Sequence, residues 1–173
     1  MTRRQLEHLI RAAAELADDD EIVVIGSQSV LGQFPDAAAS LLVSMEADLF
    51  PKNHPERWDL VDGSIGEGSP FHQTFGYYAQ GVGEETAILP KGWKARLVAV
   101  RTPNTRGATG WCLEIHDLLI AKLIANRPKD LDFARAAIKS GIARESVLYE
   151  RLAQTQLLPE RRAQVQAALV GVI

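Results

Sequence analysis

Glu46 and Asp48, in the stretch "MEADLF", are two carboxylates two residues apart in an otherwise apolar run. If that run is a strand, alternate side chains share a face, so Glu46 and Asp48 point one way while Met45, Ala47 and Leu49 point the other. Two carboxylates held so close repel unless one is protonated or a cation sits between them. Mg²⁺ takes oxygen ligands and keeps positions for water and substrate phosphates, so the pair is a candidate metal site. A solvated edge-strand face is the plain alternative.

Upstream, "VVIGSQSV" sets Gly26 and Ser27 directly after an apolar strand-like run and before a short helix. A glycine there lets an anion approach the main chain, and a serine hydroxyl can bond it. A simple strand-to-helix connection would look the same, and it is the juxtaposition with Glu46 and Asp48 that gives the segment chemical interest. Lys122 lies at the edge of the stripe drawn by Ile115, Leu118, Leu119 and Leu123. A lysine so placed either snorkels to water or meets an anion. Asp130, ahead of "LDFARAAI", is read as a helix N-cap that can also pair with a lysine.

The elements that must position these groups come from a chain of 173 residues, 46% apolar and 24% charged, long enough for one domain with its own core. A net charge of −3 gives no global nucleic-acid footprint, so such a partner needs a local basic patch. Cys112 is the one cysteine, which excludes an intrachain disulfide and a multi-cysteine zinc site and is expected to be a small buried hydrophobe. The first twenty residues read as an amphipathic helix, not a signal peptide, and no run is long enough to span a bilayer. A reducing cytoplasm fits this composition.

The expected order is a helix, the strand "EIVVIG", a short helix N-capped by Ser27, and the strand "LLVSMEADLF". A loop with a short helix near Arg57 to Asp62 follows, then irregular or edge-strand structure. "EETAILP" and "KARLVAVRT" are expected to form a hairpin about "PKGW", with a further short strand in "TRGATGWCLEI". Four helices complete the chain: Ile115 to Asn126, Asp130 to Ser140, Glu145 to Gln154 and Pro159 to Val170. This is an α+β pattern, with an α+β core over residues 1–112 and a helical part over 113–173 packed on it. The four histidines show no ligand spacing, "GEGSPF" lacks the lysine of a P-loop, and the three tryptophans are expected to pack or cover the core. Lys91, Lys94, Arg96 and Arg101 are read as charge guarding a sheet edge, or as a basic strip suited to RNA.

"IGS" followed by "MEADLF" resembles the signature of the nucleotidyltransferase (DNA polymerase beta-like) superfamily, and "LEIHDLLIAKLIANRPKDLDFARAAI" resembles its AbiEii-type toxin members and their bacterial relatives. The resemblance covers roughly Ile22 to Ile138. It implies a small mixed sheet with an N-terminal helix and a C-terminal helical tail. It also implies Mg²⁺-dependent transfer of a nucleoside monophosphate from a nucleoside triphosphate to an RNA, such as a tRNA end, or to a protein hydroxyl. Gly26 and Ser27 would hold triphosphate oxygens, Glu46 and Asp48 the metal, Lys122 the phosphates, and Asp130 would brace Lys122 or assist the acceptor. A catalytically idle binding or regulatory module, paired with a cognate antitoxin, is the other role within that family. The chain departs from the superfamily pattern in its longer spacer between Ser27 and Glu46 and in a glutamate as first acid. A third acid is not evident, with Asp62, Glu84 and Glu85 as the nearby candidates.

Overall fold

The computed structural model describes residues 1–173. Helix α1 (Arg3–Ala17) starts at Thr2, whose hydroxyl accepts the Gln5 N–H while the Gln5 side chain accepts the Thr2 N–H. This reciprocal capping box fixes the first turn. Leu6, Leu9, Ile10, Ala13 and Ala17 form its buried stripe. Asp18, in the left-handed region at φ 50°, ends the helix. The buried Asp19 carboxylate then accepts the N–H groups of Glu21, Asn53 and His54, tying the entry of the first strand to the exit of the second.

Five strands make one mixed sheet in the order β3-β2-β1-β5-β4, from β1 (Glu21–Val24), β2 (Glu46–Pro51), β3 (Tyr78–Gly81), β4 (Val98–Val100) and β5 (Thr109–Cys112). β1 runs antiparallel to β2 and parallel to β5, so it is central, and Ile22, Val23 and Val24 are accordingly apolar and buried. β3 is an edge strand parallel to β2, and β4 closes the other edge antiparallel to β5. Between strands lie the short α2 (Val30–Gln33), α3 (Trp58–Ile65) and α4 (Pro70–Phe75). The chain finishes with α5 (Ile115–Ala125), α6 (Pro128–Lys139), α7 (Glu145–Ala153) and α8 (Pro159–Val172). One apolar cluster extends from Met1 to Val172, with Leu118, Leu119 and Leu123 of α5 joining Leu49 of β2 and Ile22 of β1. No helix is long and apolar enough to cross a membrane.

The α+β architecture agrees with expectation; several local elements do not. No hairpin joins residues 84–90 to 94–102: Glu84–Thr86 is a 3₁₀ turn, and β4 pairs instead with β5. Arg96 accounts for the difference, because it turns inward to a fully buried Asp117 at 2.8 and 2.9 Å, pinning its segment to α5 rather than to a strand. It therefore does not guard an edge, and Lys94 pairs with Glu84 at 2.7 Å. The second strand begins only at Glu46, since residues 39–41 form a 3₁₀ turn. Between residues 51 and 83 the short helix expected near Arg57 to Asp62 is present as α3 and the edge strand as β3, while α4 was not expected. Ser69 caps α4 by accepting the His72 N–H, and Gly76 stops it at φ 75°.

Candidate functional site

Period-two geometry on β2 separates the two faces as expected. Ala47 and Leu49 are buried, while Glu46 and Asp48 are partly exposed on the other face. The Tyr78 hydroxyl on β3 donates to Glu46 Oε2 at 3.0 Å, and burial together with that bond pushes the phenol up to about 12. Asp48 packs against Gly26. A Cβ built on Gly26 would lie 2.1 Å from Asp48 Oδ2 and 2.7 Å from its Cγ, so a side chain at position 26 would occupy the carboxylate's place. Gly26, rather than Ser27, takes the N-cap position of the 3₁₀ turn Ser27–Ser29, whose first bond runs from the Ser29 N–H to the Gly26 carbonyl at 2.9 Å.

The second half of the site hangs on the junction of α5 and α6. Asn126, left-handed at φ 56°, ends α5, and Pro128 at the start of α6 has a fixed φ and no N–H to satisfy. Asp130 is consequently the third helical residue and not the N-cap; Arg127 holds that position. The Asp130 carboxylate still serves the helix start, accepting the Arg127 N–H at 3.3 Å. It also accepts Lys122 Nζ at 3.0 Å and Arg127 Nε at 2.6 Å, with its side chain fully buried. Burial alone would raise its pKa, but the Arg127 and Lys122 cations outweigh burial and hold the carboxyl below its ordinary range. Lys122 therefore meets an anion inside the protein instead of snorkelling, and its side chain is only 12% exposed.

Two adjoining hollows bring the six residues together. One, of about 200 Å³, is lined by Gly26, Asp48, Lys122 and Asp130, with Arg127 and Arg161. The other, of about 380 Å³, is lined by Ser27, Glu46 and Lys122, with Gln28, Lys129 and the apolar Leu41, Val43, Phe133 and Ala136. Lys122 belongs to both walls, so the acid pair and the lysine share one cleft although they are distant in sequence. Burial pushes the Asp48 pKa up, the neighbouring Glu46 charge pushes it further, and Lys122, Lys129 and Arg127 partly offset both. The cleft thus sets Glu46 and Asp48 near a cluster of cations, while Asp130 and Asp132, also in its walls, are paired with Lys122 and Arg127 and with Arg135. Such a surface suits a polyanion bound through a divalent metal.

Arg127, Lys129 and Arg161 were not anticipated. The first two stand beside Asp130 in "NRPKD", where two cations around a proline were a readable signal; Arg161, on α8, carries none in the sequence. None of the three candidate third acids lines either hollow. Asp62 accepts the Gly81 N–H at 3.2 Å, Glu84 is engaged by Lys94, and Glu85 folds back over Gly83. On the strand next to the pair, Tyr78 is in register with Glu46, and Gln80 with Asp48. An amide, not a carboxylate, stands beside Asp48. No group of three or more histidine, cysteine, aspartate or glutamate side chains is placed to hold a metal. A hard cation here would have two protein carboxylates and draw its other oxygens from water and substrate, which is how Mg²⁺ is commonly held.

His116 and Cys112 are structural. The His116 ring bonds Glu114 through Nδ1 at 2.6 Å and accepts the Arg144 N–H through Nε2 at 2.9 Å. Cys112 is fully buried, which pushes its thiol up to about 12.

Neither a curated protein nor a solved structure matches the chain. The family described as "Nucleotidyltransferase of unknown function (DUF6036)" matches residues 4–157, a span that includes both strands of the acid site and the α5–α6 junction. With so much of its length inside that match, the chain belongs to the DUF6036 nucleotidyltransferase family.

Proposed function

We propose that the protein transfers a nucleoside monophosphate from a Mg²⁺-bound nucleoside triphosphate to a hydroxyl of an RNA or protein acceptor. The observation that carries this reading is the convergence of Glu46, Asp48, Gly26, Ser27 and Lys122 on one cleft that also holds Arg127, Lys129 and Arg161. Glu46 and Asp48 would hold the metal, which supplies charge neutralisation and alignment at the α-phosphate. Lys122, oriented by Asp130, would bind phosphate oxygens, with Arg127 and Arg161 beside it. Gly26 leaves room for the Asp48 carboxylate, and Ser27 offers a hydroxyl at the mouth of the larger hollow. That hollow is large enough for a nucleoside, with apolar Leu41 and Phe133 to cover a base. The acceptor oxygen bonds the α-phosphorus as the bond to the β-phosphate oxygen breaks, pyrophosphate leaves, and the hydroxyl proton passes to water.

The resemblance of the α5–α6 segment to AbiEii-type toxins supports a cytoplasmic bacterial enzyme of a toxin–antitoxin pair. A second reading, an idle binding module with a cognate antitoxin, is favoured by one observation: Gln80 stands where a third carboxylate would flank Asp48. Gln80→Asp separates the two. In a working enzyme a base at this position should raise the transfer rate; in an idle module it should change nothing.

Binding is tested by melting curves with Mg²⁺ and each common triphosphate. At a hundredfold excess over Kd, a ligand specific to the folded state stabilises it by roughly 2.7 kcal/mol. For a domain of this size that is a rise of about 5–10 °C. Asp48→Asn should abolish most of it, and an equal rise in both proteins would refute the assignment.

A further inference from the structure

A third hollow, of about 410 Å³, lies along α1 away from the cleft and is lined by Arg4, Gln5, His8, Arg11, Tyr77 and Asn104, among others. No carboxylate lines it. Glu7, which accepts from the Asn104 amide at 3.1 Å, is buried and engaged by Arg3 at 3.1 Å. Arg11 is held by uncharged oxygens, the Asn104 carbonyl at 2.5 Å and its side-chain Oδ1 at 2.9 Å, which fix the guanidinium without neutralising it. Arg96, Arg127 and Arg151 by contrast each face an aspartate. Arg4 is exposed and its side chain makes no bond within the protein. The hollow is thus a preset cationic concavity in a chain of net negative charge.

Aromatic rings flank it. His8 packs 5.0 Å from Phe71, 4.8 Å from Phe75 and 5.9 Å from Tyr77, and Phe75 is 47% exposed. The Tyr77 hydroxyl and His8 Nδ1 are 2.7 Å apart. Burial lowers the His8 pKa, and Arg11 and Arg106 lower it further, as a positive local field requires. Arg11 also lines the next hollow along α1, together with Glu15, Asp18, Asp20 and Arg106, so the positive surface ends at Arg11.

Adjacency links this hollow to the cleft. Tyr78 reaches Glu46, whereas Tyr77, one residue earlier, reaches His8, so the two sites lie on either side of the β3 edge of the sheet. Thr2 is on the rim of the hollow, and the Met1 nitrogen is within 2.9 Å of the Ser44 carbonyl, while Ser44 itself lines the larger hollow of the cleft. Val43 and Met45, on either side of Ser44 in the chain, are exposed. One anchored guanidinium, Arg11, and one free, Arg4, beside an exposed ring suit single-stranded nucleic acid, with phosphates on cations and a base against an aromatic face.

We infer that the Arg4–Arg11 hollow is an acceptor subsite that holds two backbone phosphates of single-stranded RNA, one on each guanidinium, with the RNA end crossing the β3 edge to the acid pair. This rests on the nucleotidyl-transfer reading, but the RNA-binding measurement that decides it uses neither nucleotide nor metal, so the two fail separately. The test is fluorescence anisotropy of a labelled, short, mixed-sequence single-stranded RNA against the full chain over a salt series. Arg4→Gln with Arg11→Gln should weaken binding by about tenfold or more and reduce the salt slope by about 1.4, roughly 0.7 per lost phosphate contact. Arg4→Gln alone, which removes no internal bond, should lose about half of that slope change and remain folded. Both variants should keep the triphosphate-induced rise in melting temperature. The inference is overturned if wild type does not bind the RNA, if the variants bind with unchanged affinity and slope, or if duplex RNA binds as tightly. Inorganic phosphate displacing the RNA at equal phosphate concentration would show a free-anion site and overturn it. Polyglutamate outcompeting RNA would show an acidic protein surface as the ligand and overturn it too.

Discussion

Asp130→Asn perturbs the group on which the Lys122 arm depends. The wild-type carboxylate is fully buried and accepts from Lys122 Nζ, Arg127 Nε and the Arg127 N–H. An asparagine keeps the shape and can still accept the N–H at the start of α6, so the cap largely survives. What is lost is the charge that two cations face. Breaking a buried pair from one side costs about 3–5 kcal/mol. Arg127, with 58% of its side chain exposed, can rehydrate, so the cost falls mainly on Lys122 and the lower end, about 3 kcal/mol, applies. At about 2–4 °C per kcal/mol, the variant should melt roughly 6–12 °C below wild type near neutral pH. The pH dependence has a definite sign. The Asp130 pKa is held below its unfolded value despite burial, so its contribution is complete above about pH 4 and is lost as pH falls through the folded-state value. Melting curves of both proteins from neutral to strongly acidic pH should therefore converge on the acid side. A difference under about 1 kcal/mol at neutral pH, or one that persists unchanged in acid, would refute the buried-anchor account.

Asp48→Asn should have the opposite stability effect without ligand. Burial and Glu46 raise the Asp48 pKa, so its ionisation destabilises the fold as pH rises above its unfolded value, and the variant should melt above wild type at neutral pH and level with it near pH 3. Gly26→Ala puts a Cβ 2.1 Å from Asp48 Oδ2 and should cost about 1–3 kcal/mol while abolishing Mg²⁺-dependent triphosphate binding, measured by titration calorimetry; undiminished binding would mean that the contact is irrelevant to the site. Lys122→Met leaves Asp130 with Arg127, so chemical denaturation should show a loss of only about 1 kcal/mol beside a clear fall in triphosphate affinity.

The sequence made the acid pair legible because strand alternation is a strict rule: once "MEADLF" is a strand, Glu46 and Asp48 must share a face. The four C-terminal helices were legible for a similar reason, their apolar spacing and their proline and glycine punctuation. The missed hairpin shows where such rules stop. "KARLVAVRT" has strand-like residues over its whole length, but the pairing was decided by Arg96 reaching a buried Asp117 that is 21 residues away, which no local pattern encodes. Asp130 was placed in the right neighbourhood and the wrong helical position, since Pro128 starts the helix two residues earlier than the acid suggested. Arg161 reaches the cleft only because α8 folds back beside α5 and α6, a tertiary outcome.

The central claim is nucleotidyl transfer at the Glu46–Asp48 pair, and the most direct measurement follows an α-phosphate label. Wild type and Asp48→Asn would each be incubated with every α-labelled common triphosphate, Mg²⁺ and total RNA or cell lysate, and both labelled macromolecule and released pyrophosphate would be quantified. The account predicts that wild type moves label from at least one triphosphate onto a macromolecular acceptor with matching pyrophosphate release, that chelation stops it, and that Asp48→Asn shows neither product. Label transfer that Asp48→Asn retains in full, or triphosphate-induced stabilisation of wild type with no transfer under any of these conditions, would contradict it.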